Sequence, residues 1–470
     1  MDWLDPLDAA MITADLVSNP LNIGAVLILS PPPGASPGYV DKIYRDSLVT
    51  GDPVEPRLCR YPHHGVETAG YWVWRKADTI DLQQHYRRSS LPPGAGRAGL
   101  WQLISALHAE PLDRSRPMWT AHLIDGLDDG QFAFYIKLHH IVMDGVAGLQ
   151  TLTGALSPDP ERRSMPAFHA DRLDAPSGMP SSHHGLRLPN PLALLHSVVA
   201  TGTSTVGLAQ RVLTGQLTSA LAGLTGDTTM PPIAAPFVRF NGSLGPERAV
   251  AAATWPKRRF QAFTPLTGVT SNDVVTAVIA GVLRQWLSDQ GELPQRSLVA
   301  ICPITVHGHE LSRSERHGNM FGAWLCPLGT NLADPAERLD LIHRSMSEGK
   351  RRVAARGAAA SLLLLGTSIA PTVLLPMLPV APKLRVGYNL PISHVPGPKS
   401  EMYWNGAHID EIYPISAVYD GQAFNVTTCS YADRVGFGFV AGREIVPDIN
   451  EMIPLTEQAL TELERAVGIN

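Results

Sequence analysis

Two adjacent histidines, His139 and His140, precede Asp144-Gly145 in the run Leu138-His139-His140-Ile141-Val142-Met143-Asp144-Gly145. An imidazole titrates near neutral pH, so a positioned histidine can take a proton from a hydroxyl and return it later, an effect worth roughly 10² to 10⁴ in rate. The four-residue step from His140 to Asp144, closed by a flexible glycine, brings a carboxylate back near the histidine backbone without requiring the two side chains to pair. Before the pair, Phe132, Phe134, Ile136 and Leu138 alternate with Ala133, Tyr135 and Lys137, the period of a strand with one buried face. After it, Leu149, Leu152 and Leu156 fall at helical spacing, so Asp144 and Gly145 lie where a strand hands over to a helix. Side chains alternate along a strand, which places His140 on the face of Leu138 and His139 on the face of Lys137. One histidine is expected in a site and the other in support. The plainer alternative is a satisfied histidine at a strand end and an Asp144 that only caps a helix.

Other chemistries lack a signature. There is no Gly-x-Ser-x-Gly elbow, no phosphate-binding loop of the Gly-x4-Gly-Lys type and no His-Glu-x-x-His. Gly436-x-Gly438 sits between aromatic strand residues and reads as sheet packing, not as a dinucleotide loop. His183-His184 has no carboxylate or cysteine at ligand spacing, and no metal is expected. His63-His64 and His307-x-His309 read as surface residues. A histidine without a nucleophile of its own suits direct transfer, in which a hydroxyl deprotonated by the imidazole attacks an already activated acyl group such as a thioester.

The elements around the motif are legible in outline. Asp129-Gly130 marks a turn joining Thr120–Ile124 to Gln131–Leu138, a hairpin that delivers the histidines. Upstream, Ile23–Leu29 and Tyr71–Trp74 read as strands, and Val40–Val49 and Leu100–Glu110 as helices. Ser157–Pro191 is rich in Pro, Ser, Asp, Arg and His and reads as a linker, followed by a helical crossover over Leu192–Leu224. In the second half, Val275, Val278, Ile279, Val282, Leu283 and Trp286 form one face of a helix beginning at Ser271-Asn272-Asp273, with Ser271 or Asn272 as its cap. Strands are expected at Ala249–Trp255, Leu298–Ile304, Met320–Leu325, Gln422–Ser430 and Val435–Ala441, and a closing helix at Asn450–Val467. Helices and strands alternate in both halves, so the fold class is α/β, with two α+β sandwich domains.

The division expected is an N-terminal domain over 1–156 carrying the motif, a linker and crossover helix over 157–245, and a C-terminal domain over 246–470. With 38 Lys and Arg against 43 Asp and Glu, the chain has no general attraction to nucleic acid. The four cysteines form no close-spaced pair, which fits a reducing compartment, and the acidic start Met1-Asp2-Trp3-Leu4-Asp5 does not read as an export signal, so a cytoplasmic location is expected. Ala358–Pro382 is apolar and long enough to cross a bilayer, but Pro371, Pro376 and Pro379 would break a spanning helix. It reads as buried or interfacial pieces, with peripheral association at a membrane or lipid body as a hypothesis.

His139-His140-x-x-x-Asp144-Gly145 resembles the HHxxxDG motif of the bacterial wax ester synthase/diacylglycerol acyltransferase family. Pro6-Leu7-Asp8 resembles that family's N-terminal motif, Pro111-Leu112 with Pro117-Met118-Trp119 its PLxxxxPLW, and Asn272-Asp273-Val274-Val275 its ND motif. Gly318-Asn319, Val395-Pro396-Gly397-Pro398, Ser430-Tyr431 and Val446-Pro447-Asp448 extend the resemblance over almost the whole chain. One departure is His394, where the family usually has Asn. The resemblance implies two chloramphenicol-acetyltransferase-like domains with a substrate tunnel between them. It implies His140 as base, His139 as its support, Asp144 as a structural residue, and Gly145, Asn272 and Asp273 as supporting or substrate-binding residues. Acyl-CoA would be the co-substrate, with no resident cofactor, and diacylglycerol or a long-chain alcohol the acceptor, giving triacylglycerol or wax ester. Alternatives are an acyltransferase of envelope-lipid assembly that uses a carrier-bound acyl chain, and a lipid-binding relative without turnover.

Overall fold

The structure, a computed structural model, describes residues 2–16, 19–49, 53–171, 235–305, 321–356 and 387–469. The strands of the first half are β1 (Asp2–Trp3), β2 (Asn22–Ser30), β3 (Arg60–His63), β4 (Val73–Lys76), β5 (Tyr86–Ser90), β6 (Trp119–Asp125) and β7 (Phe132–His139). The second half adds β8 (Arg248–Pro256), β9 (Val299–Thr305), β10 (Phe321–Pro327), β11 (Leu390–Pro396), β12 (Tyr403–Trp404), β13 (Ala407–Ile415), β14 (Phe424–Tyr431) and β15 (Arg434–Gly442). They form two six-stranded sheets, ordered β12-β13-β2-β7-β6-β5 and β10-β9-β11-β14-β15-β8, and a small sheet β1-β4-β3. Helices cover both large sheets, so the chain has the mixed α/β architecture expected of it.

The β6–β7 hairpin closes through a short turn at Asp128–Gly130, where Asp129 and Gly130 both take positive φ, 54° and 71°. These are residue types that tolerate the left-handed region, which is why the turn was readable. Strand β7 departs from expectation in one respect: both its faces are buried. Phe134, Ile136 and Leu138 enter the core of the first sheet, while Ala133 and Tyr135 pack on the far side against Leu100, Trp101 and Ile104 of the helix Gly96–Ala109. Lys137 shares that second face because its ammonium bonds the carbonyls of Leu107 and Glu110 at the helix's C-terminal end, a favourable seat for a cation.

The second half lends strands to the first. β13, from the second half of the chain, pairs antiparallel with β2 and completes the first sheet, and β12 follows it at the edge. This crosses the boundary at 246 drawn from sequence. Ala407–Ile415 escaped notice because Asp410, Glu411 and Pro414 are poor strand formers, and the register breaks between Ile409 and Glu411. Gly436 and Gly438 let β13 lie against β15, since a β-carbon at Gly438 would stand 1.9 Å from the Pro414 carbonyl oxygen and one at Gly436 2.4 Å from that of Ile412. The Gly-x-Gly is therefore sheet packing, and Phe437 and Phe439 between and beside the glycines fill the opposite core.

Among the described residues no single helix is long and apolar enough to cross a membrane. Ser271–Asp289, bent sharply from the short helices that precede it, buries thirteen of its residues in the protein core. Ala358–Pro382, most of Ser157–Pro191, Leu192–Leu224, His183-His184, His307, His309 and Gly318-Asn319 lie outside the described residues.

Candidate active site

Strand β7 ends at His139, and the chain turns there: the Val142 amide donates to the His139 carbonyl at 2.9 Å. The His139 amide donates to Met118 O and the His140 amide to Leu21 O, both at 3.0 Å, so the turn is tied to two separate segments. His139 is fully buried. Its Nδ1 accepts from the Ile141 amide at 3.3 Å, and its Nε2 lies 3.2 Å from Oδ2 of Asp15, out of line for a straight hydrogen bond. His140 is only half-buried. Burial holds its imidazole below the ordinary histidine value, with Asp144 pulling upward and His139 downward. Such a ring is neutral at physiological pH and has a lone pair for a proton. His139 is thus enclosed at the end of β7, while His140 on the turn beyond it stays partly accessible.

Asp144 caps the helix Gly145–Thr153, its Oδ1 accepting from the Ala147 amide at 2.7 Å. The capping role considered for it is real. Gly145 is the exposed first residue of that helix, with open space where a β-carbon would stand. Asp8, from the helix Pro6–Ala14, carries a carboxyl raised to about 7 by burial first and then by the charges of Asp5 and Asp144.

Asn272 and Asp273 lie in the first turn of the helix Ser271–Asp289. The cap of Ser271–Asp289 is Thr270, not Ser271 or Asn272: Thr270 Oγ1 accepts from the Asp273 amide at 3.3 Å, and Asp273 Oδ2 accepts from the Thr270 amide at 2.9 Å. The same oxygen stands 2.9 Å from His343 Nδ1 on Pro335–Arg356, and Asp273 is buried. Among the described residues no hydrogen bond or ion pair joins Asn272 or Asp273 to His140. His394, on β11, is held between Thr428 Oγ1 at 2.7 Å from Nδ1 and Ser430 Oγ at 3.0 Å from Nε2, and burial pushes its ring down to about 4. Asp15 is the residue that sequence reasoning missed. Nothing in its neighbourhood, Ile12-Thr13-Ala14-Asp15-Leu16, marks it, because its partner His139 lies far along the chain at the end of β7.

The model of the wax ester synthase/diacylglycerol acyltransferase catalytic domain matches residues 4–275, and that of the family's C-terminal domain matches residues 317–464. The chain belongs to this family. It is an acyltransferase of the wax ester synthase/diacylglycerol acyltransferase type. A Mycobacterium tuberculosis protein that carries the name of a diacylglycerol O-acyltransferase is 37% identical over 479 residues, spanning 99% of this chain and 100% of that one. Another of the same organism and description is 35% identical over 465 residues, spanning 98% of this chain and 90% of that one. The solved wax ester synthase/diacylglycerol acyltransferase from Marinobacter aquaeolei VT8 superposes with a TM-score of 0.77 at 30% identity over the whole of both chains. The starter condensation domain of rhizomide synthetase, solved with C8-CoA and Leu-SNAC, shares the fold, with a TM-score of 0.56 at 12% identity over 99% of this chain and 94% of that one. In this acyltransferase, segments separated in sequence meet at the histidine turn: Met118 on the His139 amide, Leu21 on the His140 amide, and Asp15 against the His139 ring.

Proposed function

We propose that this acyltransferase moves a long acyl chain from acyl-CoA to the free hydroxyl of diacylglycerol, giving triacylglycerol, and that long-chain alcohols serve as alternative acceptors. The observation that carries the reading is His140: a half-buried imidazole, kept neutral by burial, on a turn tied down by the backbone bonds of His139 and His140. The names of the relatives supply the acceptor class. His140 takes the acceptor's hydroxyl proton as that oxygen attacks the thioester carbonyl. The tetrahedral oxyanion collapses with cleavage of the carbon–sulfur bond, and the proton passes from the imidazolium to the departing thiolate. His139 supports the turn, Asp144 starts the following helix, and Gly145 leaves room beside it. Asn272 and Asp273 serve the reaction only indirectly, by ordering the second half. Each buried methylene contributes about 0.8 kcal/mol, so an apolar passage between the two sheets would hold a long acyl chain with few specific contacts. A diacylglycerol acceptor resides in a lipid surface, and the reading therefore includes peripheral association with one.

The test supplies purified protein with palmitoyl-CoA and offers diacylglycerol and hexadecanol in parallel, following free CoA and labelled ester. Ester formation by the wild type and its loss by at least about 100-fold in His140→Ala is the expected result. Ester formed equally well by His140→Ala would remove His140 as base, and binding of lipid without ester in either lane would remove the transfer reading.

A further inference from the structure

The carboxylate of Asp15 stands at a junction the reaction scheme does not use. Its side chain is 1% exposed, and its Oδ1 accepts from the Leu21 amide at 2.9 Å. The Leu21 carbonyl in turn accepts from the His140 amide at 3.0 Å. Its Oδ2 faces Nε2 of His139 at 3.2 Å and Arg114 Nη2 at 3.4 Å. Because His139 Nδ1 accepts from the Ile141 amide, a neutral His139 must carry its proton on Nε2, the nitrogen that faces the acid. One carboxylate thus bears on both sides of the turn, through the His139 ring on one side and through Leu21 on the other.

We propose that Asp15 is a positioning residue for acyl transfer, fixing the tautomer of His139 and the backbone of His140 so that the His140 ring is presented in one orientation. The inference rests on the reading of His140 as the base. Its physical content is visible in the isosteric change Asp15→Asn. If the amide keeps its oxygen on the Leu21 N–H, its NH2 faces the Nε2–H of His139, donor against donor. Relief requires His139 to move its proton to Nδ1, which gives up the bond from the Ile141 amide and loosens the turn that carries His140. Misplacement of a reacting group by about 1 Å is enough to cost on the order of 100-fold in rate.

The experiment compares wild type, Asp15→Asn, Asp15→Glu and His140→Ala in the palmitoyl-CoA assay, with circular dichroism to measure the folded fraction and a pH profile of kcat/KM. Expected for Asp15→Asn is a kcat lower by roughly 10- to 100-fold per folded molecule with KM for palmitoyl-CoA within about twofold of wild type, and partial recovery in Asp15→Glu, which restores the charge. The charges facing the pair are Arg114 against Asp15, and Asp144 on the side of His140, with Asp8, a carboxyl raised to about 7, acting on Asp144. Removing one negative charge from this set lowers the proton affinity of the His140 imidazole, so the acid limb of the Asp15→Asn profile shifts to lower pH. A wild-type kcat in Asp15→Asn, or a fall fully accounted for by the folded fraction with an unmoved profile, overturns the proposal. If His140→Ala keeps its activity, the base reading fails instead, whatever Asp15→Asn does.

Discussion

Asp8 is a carboxyl raised to about 7 from an ordinary value of 3.8, by burial first and then by Asp5 and Asp144. In the unfolded chain it ionises from about pH 4, whereas in the folded chain it stays protonated until near neutrality. Between those values the unfolded state binds fewer protons than the folded state, so the contribution of Asp8 to stability is complete below pH 4 and is lost as pH rises through about 7. Asp8→Asn removes that dependence. The variant is expected to be more stable than wild type at pH 8, by on the order of 2 kcal/mol or less, with the difference vanishing near pH 4. Thermal unfolding of both proteins from pH 4 to 8 checks it, and parallel curves would show that the carboxyl is not held protonated. The sequence made His139, His140 and Asp144 legible because their chemistry is concentrated in one short run. Asp8 is legible only as part of a motif and Asp15 not at all, since the significance of each depends on a partner far along the chain, Asp144 for Asp8 and His139 for Asp15.

At the level of elements, Ser271–Asp289 shows what periodicity resolves and what it does not. The apolar face from Val275 to Trp286 predicts the helix, its direction and its burial, and the structure agrees. Its start is harder to read, because Thr270, Ser271, Asn272 and Asp273 are all residues that cap helices well and only backbone geometry selects among them. Thr270 has extended dihedrals, φ −87° and ψ 156°, and therefore takes the cap, with Asp273 completing the reciprocal pair. Asp273 also reaches His343, so it fastens the beginning of one helix to the middle of another. Thr270→Ala should cost about 1 kcal/mol in urea-induced unfolding. Asp273→Ala should cost more, because it leaves both the Thr270 amide and the His343 ring without this acceptor. In the folded fraction of either variant KM for palmitoyl-CoA is expected to stay at the wild-type value. A KM raised tenfold in Asp273→Ala at unchanged stability would return Asp273 to substrate binding.

Across the whole molecule, the donated strand makes the first half dependent on the second. β13 is contributed by residues far beyond the crossover, yet Ile409, Ile412, Tyr413 and Ile415 are almost completely buried, the first two in the first sheet's core and the last two between the sheets. Burial of four such side chains contributes roughly 6–12 kcal/mol, which is comparable to the entire net stability of a domain, about 5–15 kcal/mol. Without β13, β2 would present an unpaired edge and an open apolar surface. The helix Gly96–Ala109 couples the sheets further, since Leu100, Trp101 and Ile104 share a cluster with Val250, Ala252 and Val440, and Ser105 Oγ accepts from the Val250 amide at 3.0 Å. A fragment covering residues 1–245 is therefore expected to be unfolded or aggregated when expressed alone, and to gain native circular dichroism only when residues 246–470 are supplied with it. The intact chain should unfold in one calorimetric transition whose van't Hoff and calorimetric enthalpies agree. Two separate transitions, or a soluble 1–245 fragment with cooperative unfolding of its own, would mean that β13 decorates an already stable sheet. Such coupling matters for the chemistry, because the turn that carries His140 ends β7, and β7 lies one strand away from β13, with β2 between them. Loosening the second half is thus expected to reach the histidines through β2, whose Asn22 pairs with His139 at the end of the ladder.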